Sequence, residues 1–185
     1  MNKITSVTVM CFFLIFPYTP KAEGQDQKRG LVFIRHAEKS DDGSHLNCRG
    51  INRSLLLPAL LYRKFGRPEA VYVPRLKQGT ATKHLRMLET IRPFLIKYDL
   101  RLNTAFDVDD LHGLATSLYR ENGTVFIVWE YHRIPAIVRC LGVGSAAGEW
   151  NDKDFDSIWI VDFVKGKAVL SKDREQLDPA AGCAF

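Results

Sequence analysis

Cysteine is scarce in this chain, with four among 185 residues at positions 11, 48, 140 and 183. None belongs to a C-x-x-C pair and none has metal-ligand spacing with a histidine, so neither a cysteine-based metal site nor a catalytic cysteine is expected. One-signed charge runs are missing too. Lysine and arginine number 26 against 21 acidic residues, a formal charge of +5. Without Lys3 and Lys21, which lie in an N-terminal segment read below as removed, 24 basic residues face 21 acidic ones and the excess is +3. No Lys/Arg run carries interleaved aromatics, which argues against a nucleic-acid partner. The excess fits either a solvated surface or a pocket for an anion. No internal repeat, low-complexity tract or linker divides the chain, and with 46% hydrophobic residues it can bury one sizeable core.

Long apolar runs are missing as well, with one exception. "MNKITSVTVMCFFLIFPYTPKAEGQDQ" has a basic Lys3, an apolar stretch from Val7 to Phe16, then Pro17, Pro20 and the small Ala22. The apolar stretch is shorter than the roughly 20 residues of a membrane span and has the layout of a secretory signal peptide. The expected organisation is a signal peptide over 1–22, a polar leader over 23–30, and one domain over 31–185. The expected location is periplasmic or extracellular, with no stable membrane insertion after cleavage. Loss of Cys11 leaves Cys48, Cys140 and Cys183, at most one internal disulfide and one free thiol, with the pairing open.

Along the domain, strand and helix signals alternate. "LVFIRH" and "TVFIVWE" are continuous apolar runs of the kind buried in a parallel sheet, and "AVYVP" is a shorter one ended by Pro74. "NRSLLLPALLYRKFG" reads as a helix stopped by Gly66. "TATKHLRMLETIRPFLIKY" places Leu85, Leu88, Ile91 and Leu95 at helical spacing. "DVDDLHGLATSLYRENG" and "RIPAIVRCLG" read as further helices, and "DSIWIVDF" and "KAVLS" as a hairpin about Lys165-Gly166. The predicted fold class is α/β, a three-layer sandwich with a mostly parallel central sheet and helices on both faces. In such sheets, ligands bind outside the carboxyl ends of the strands. Those ends carry Arg35-His36 on the first strand and Tyr131-His132 on the strongest one.

Three segments carry a resemblance: "RHAE" after the first strand, "TKHLRMLET" over 82–90, and "FIVWEYHRIPAI". In order and spacing they resemble the RH signature, the S/T-x-x-x-R-x-x-x-T segment and the second-histidine strand of the histidine phosphatase superfamily, with its phosphoglycerate-mutase-like fold. RHAEK, L-x-CRG-x-NR, W-E-x-x-x-IP and FDSIW look like an exported bacterial branch of it. The resemblance implies His36 as a nucleophile forming a phosphohistidine, with Arg35 and Arg86 gripping the phosphoryl oxygens and no metal or other cofactor. Two departures follow. The family's second histidine falls at Tyr131 here, with His132 one place later, so either His132 or Tyr131 completes the pocket. The family's acid positions hold Thr104 and Arg133, which leaves Glu130, then Asp109 and Glu38, as candidate proton donors. His45, His84 and His112 read as surface or structural, Trp129 as core, and Glu38 and Lys39 as an exposed pair or a pocket rim. The expected function is an exported phosphomonoesterase acting on a small phosphorylated substrate. The alternative is a catalytically impaired module that binds phosphate or a phosphoester.

Overall fold

A computed structural model describes residues 30–41, 43–79 and 82–183. The predicted signal peptide and nearly all of the polar leader lie outside the described residues.

The chain runs β1 (Gly30–Arg35), α1 (Cys48–Phe65), β2 (Ala70–Tyr72), α2 (Leu85–Tyr98), β3 (Leu102–Asn103), α3 (Leu111–Leu118), β4 (Thr124–Trp129), α4 (Ile134–Val138), β5 (Ser157–Val164) and β6 (Lys167–Arg174). One π turn (Arg139–Val143) and one 3₁₀ turn (Gly144–Ala147) follow α4. The six strands form one sheet in the order β3-β2-β4-β1-β5-β6. Its first four members are parallel, and the β5–β6 hairpin adds an antiparallel edge against β1.

Alternation along the strands explains why the runs are apolar throughout. Leu31, Phe33, Val125, Ile127 and Trp129 face α3 and α4, packing with Leu114, Leu118, Ile134 and Ile137. Val32, Ile34, Phe126 and Val128 face the other way, onto Leu57 and Leu61 of α1 and Met87, Ile91 and Phe94 of α2. Both faces of the sheet are covered, so every side chain of β1 is buried.

Helix boundaries differ from the sequence reading where capping, not periodicity, decides. α1 starts at Cys48 because the Asn47 side chain accepts from the Gly50 amide, and it stops at Gly66, whose φ of 73° suits glycine. α2 starts only at Leu85. His84 before it stands in the left-handed region at φ 63°, so residues 82–84 are not helical. α3 starts at Leu111, capped by Asp110 on the Gly113 amide. The two-residue β3 was too short to leave a pattern. Cys48 is bonded to Cys183, which ties the C-terminal segment to the start of α1, and Cys140 is free and partly buried.

Candidate active site

Parallel pairing of β1 and β4 sets Arg35 opposite Trp129, and the His36 amide donates to the Trp129 carbonyl at 3.3 Å. Arg35-His36 and Glu130-Tyr131-His132 therefore leave the sheet side by side. Together with Arg86 from the first turn of α2 they line a cavity of about 600 Å³ at the carboxyl ends of the strands. The structure thus gathers all six residues singled out as catalytic or phosphate-binding.

His36 is 3% exposed. Its Nδ1 lies 2.7 Å from the Ala37 carbonyl oxygen, which can only accept, so Nδ1 carries the hydrogen and Nε2 keeps its lone pair. Burial, helped by the positive charges of Arg86 and Arg35, pulls the imidazole from 6.5 down to about 3, and it is neutral at any physiological pH. The loop that follows is pinned from two sides. Ala37 donates to Thr90 Oγ1 at 2.8 Å, and that hydroxyl donates to the Arg86 carbonyl at 2.7 Å. The second threonine of the T-x-x-x-R-x-x-x-T segment thereby fixes the helix bearing Arg86 against the residue after His36.

Arg35 lies between two rings, its guanidinium carbon 3.8 Å from the Phe155 centroid and 4.3 Å from that of Tyr131. One terminal nitrogen donates to the carbonyls of Asp152 and Asp154 at 2.6 and 3.1 Å, while Nε is buried without a partner. Burial lowers Arg35 to about 10, which leaves it charged. Arg86 has the same orphan Nε, and its terminal nitrogen stands 3.5 Å from Glu130 Oε1. Buried donors without acceptors are rare, because each costs about 1–3 kcal/mol. Two of them on arginines that line one cavity suit an oxyanion, which accepts from the planar fork.

Glu130 is the hub of the opposite wall. Its Oε1 lies 3.3 Å from His84 Nδ1, and its Oε2 lies 3.4 Å from His132 Nε2. His132 lines the cavity with half of its side chain exposed, whereas Tyr131 presents its ring to Arg35. Of the other carboxyl candidates, Asp109 is engaged by Arg133 at 2.5 Å and points into solvent, and Glu38 is held by both arms of the Arg53 fork at 2.8 and 2.9 Å. Thr104 is exposed and does not line the cavity. Lys39 stands at the rim, and Glu38 is a partly buried partner of Arg53. His45 and His112 are at the surface, and Trp129 is in the core, donating to the Val108 carbonyl. No group of three His, Cys, Asp or Glu side chains is arranged to hold a metal ion among the described residues.

Two features escaped the sequence reading. His84, read as surface or structural, is 13% exposed and faces Glu130. Its helical assignment hid this, since a helix over 80–98 would aim the side chain by periodicity, whereas the left-handed backbone aims it at β4. Residues 151–155, which carry the carbonyls and the ring that hold Arg35, left only the FDSIW segment as a signal, and nothing in that pattern names a contact.

No family model matches the chain, and no curated protein matches it. Among solved structures, the phosphohistidine phosphatase SixA from Agrobacterium tumefaciens is 15% identical, with a TM-score of 0.55 over 81% of this chain and 97% of that one. SixA from Nakamurella multipartitia is 14% identical, with a TM-score of 0.54 over 79% and 94% of the two chains. A SixA structure complexed with tungstate is 14% identical, with a TM-score of 0.56 over 79% and 97%. Identities this low establish architecture alone: the chain has the phosphoglycerate-mutase-like α/β fold of the histidine phosphatases.

Proposed function

We propose that the protein is an exported, metal-independent phosphomonoesterase that works through a phosphohistidine on His36. The observation that carries this reading is the state of His36: buried, neutral, with Nδ1–H tied to a carbonyl and a free Nε2 lone pair, in a cavity it shares with two arginines that keep orphan donors. In the first step the Nε2 pair forms the N–P bond as the ester P–O bond breaks, and Glu130 gives its proton to the departing oxygen. In the second, a water oxygen attacks phosphorus, its proton goes to the Glu130 carboxylate, and the N–P electrons return to Nε2. Arg35 and Arg86 face the equatorial oxygens, where charge spreads in the transition state. His132 adds a donor from the rim. The tungstate bound by one fold neighbour is an oxyanion, in keeping with a fold that takes phosphoryl-like groups. Export is supported by the apolar N-terminal segment and by the Cys48–Cys183 disulfide, a bond that persists in oxidising compartments.

A second reading, binding of phosphate without turnover, draws on Arg35, one of whose terminal nitrogens is already committed to backbone carbonyls. Phosphate release from a panel of phosphomonoesters in EDTA separates the two. The phosphatase reading expects turnover that drops by roughly 10⁴-fold or more in His36→Ala, as befits loss of a nucleophile. Equal turnover in the variant refutes His36 as nucleophile. Absence of release from any ester, with phosphate still raising the melting temperature, would establish the binding module.

A further inference from the structure

His84 has no place in the steps above, yet its geometry is specific. It does not line the cavity, and it sits behind Glu130 with its ring 13% exposed. Its backbone holds φ 63° and ψ 12°, a left-handed conformation that few residues with a Cβ adopt. That conformation interrupts the segment just before Leu85 and turns the imidazole toward β4 instead of along the face of α2. Nδ1 then meets Glu130 Oε1 at 3.3 Å, on the oxygen that also faces Arg86, while Oε2 faces His132 on the cavity side.

The two oxygens of Glu130 are thus made unequal. Arg86 can only donate to Oε1, and His84 in its Nδ1–H tautomer donates there too, which keeps that oxygen an acceptor and places the hydrogen of a protonated Glu130 on Oε2, toward the cavity. After the proton leaves, the same Nδ1–H bonds the carboxylate. We propose that His84 is a positioning residue that orients Glu130 as the proton donor of the reaction. The inference rests on the reading of Glu130 as that donor, and it assigns His84 no contact with the substrate.

Leaving-group dependence of the phosphorylation step, followed in single-turnover rapid quench, tests it, because an acid matters there for an alkyl phosphate and little for p-nitrophenyl phosphate, whose phenolate departs unaided. Glu130→Gln is expected to slow phosphoenzyme formation from the alkyl ester by about 10²-fold or more and from the aryl ester far less, while the hydrolysis step that both esters share slows for both. His84→Gly relieves the left-handed backbone and so folds. It is expected to slow phosphoenzyme formation from the alkyl ester by about tenfold or more, with formation from the aryl ester much less affected, and to add nothing to Glu130→Gln. His84→Asn tolerates the same backbone and carries an amide nitrogen where Nδ1 was, so it should restore the alkyl ester. If Glu130→Gln is selective and His84→Gly is not, the positioning role is refuted and the acid stands. If Glu130→Gln is not selective, the acid assignment fails and takes the proposal with it. A readout independent of turnover is the imidazole nitrogen signal of His84 by NMR. It should shift in Glu130→Gln, and an unchanged signal refutes the pair.

Discussion

Two arginine clusters flank the short loop after β1, and they are built to opposite rules. Arg53 on α1, 5% exposed, donates from Nε and one terminal nitrogen to Glu38 at 2.9 and 2.8 Å, and from the other terminal nitrogen to Glu175 at 2.6 Å. All three nitrogens of its guanidinium end on protein carboxylates. Arg35 and Arg86, across the loop, each keep a buried Nε with no acceptor. The fold gains nothing from an orphan donor, which is destabilising by about 1–3 kcal/mol. A saturated fork belongs to the architecture, whereas the unsaturated forks of Arg35 and Arg86 line the cavity and suit an oxyanion there; Arg133, whose Nε also lacks a partner, lies outside the cavity and pairs with Asp109. Glu38 marks the border, since it lines the cavity while its carboxylate is held by Arg53.

Removing one arginine from each side breaks the comparison most directly. Arg53→Met removes the ion-pair partner of the buried Glu175 and leaves Glu38 with Arg49 at 3.6 Å. A loss of about 3–5 kcal/mol in unfolding free energy is expected by urea denaturation. Arg86→Met should change the denaturation midpoint far less than Arg53→Met, because its Nε has no acceptor and its terminal nitrogen stands 3.5 Å from Glu130 Oε1. Its effect falls on binding. A charged hydrogen bond worth about 1.5–3 kcal/mol corresponds to roughly 10–150-fold weaker inorganic phosphate by calorimetric titration. Should Arg86→Met unfold the protein as Arg53→Met does, the two clusters do the same job and the distinction collapses.

The clusters also differ in how far the sequence disclosed them. Arg35 and His36 could be picked out because they end an apolar strand run, and Arg86 because its segment resembles the S/T-x-x-x-R-x-x-x-T pattern. The alternation of apolar faces likewise made the covered sheet readable. Arg53 and Glu175 are 122 residues apart, and no local pattern pairs a helix arginine with a glutamate beyond the last strand. Register left Tyr131 and His132 undecided, because side-chain alternation ends where the strand does. The structure resolves this locally: residues 131–133 form a turn, which brings both side chains to the cavity, Tyr131 against Arg35 and His132 against Glu130. His84 stayed hidden for a related reason, since a left-handed residue obeys neither helical nor strand periodicity.

The smallest expected effect separates the clusters by the sign of a pH slope. At His36, burial and the neighbouring arginines lower the imidazole from 6.5 to about 3. The unfolded chain takes up a proton below about 6.5 that the folded one refuses until about 3. This group's stabilisation is therefore whole above 6.5 and is lost as pH falls, at about 1.4 kcal/mol per pH unit. At Glu175, burial raises the carboxyl from 4.5 to about 7, against the pull of Arg53, whose charge is shared with Glu38. Here the folded chain keeps a proton that the unfolded chain releases above about 4.5. The contribution is whole below 4.5 and is lost as pH rises toward 7, again by about 1.4 kcal/mol per unit. Between about 4.5 and 6.5 the two slopes oppose each other and nearly cancel, while all other groups are common to wild type and variants. Relative to wild type, His36→Gln should therefore lose stability as pH rises through this window, and Glu175→Gln should gain it. Urea midpoints across the window read both slopes against the wild-type line. Parallel lines for all three proteins would mean that neither buried group titrates as its surroundings dictate, and that the saturated and unsaturated clusters are electrostatically alike.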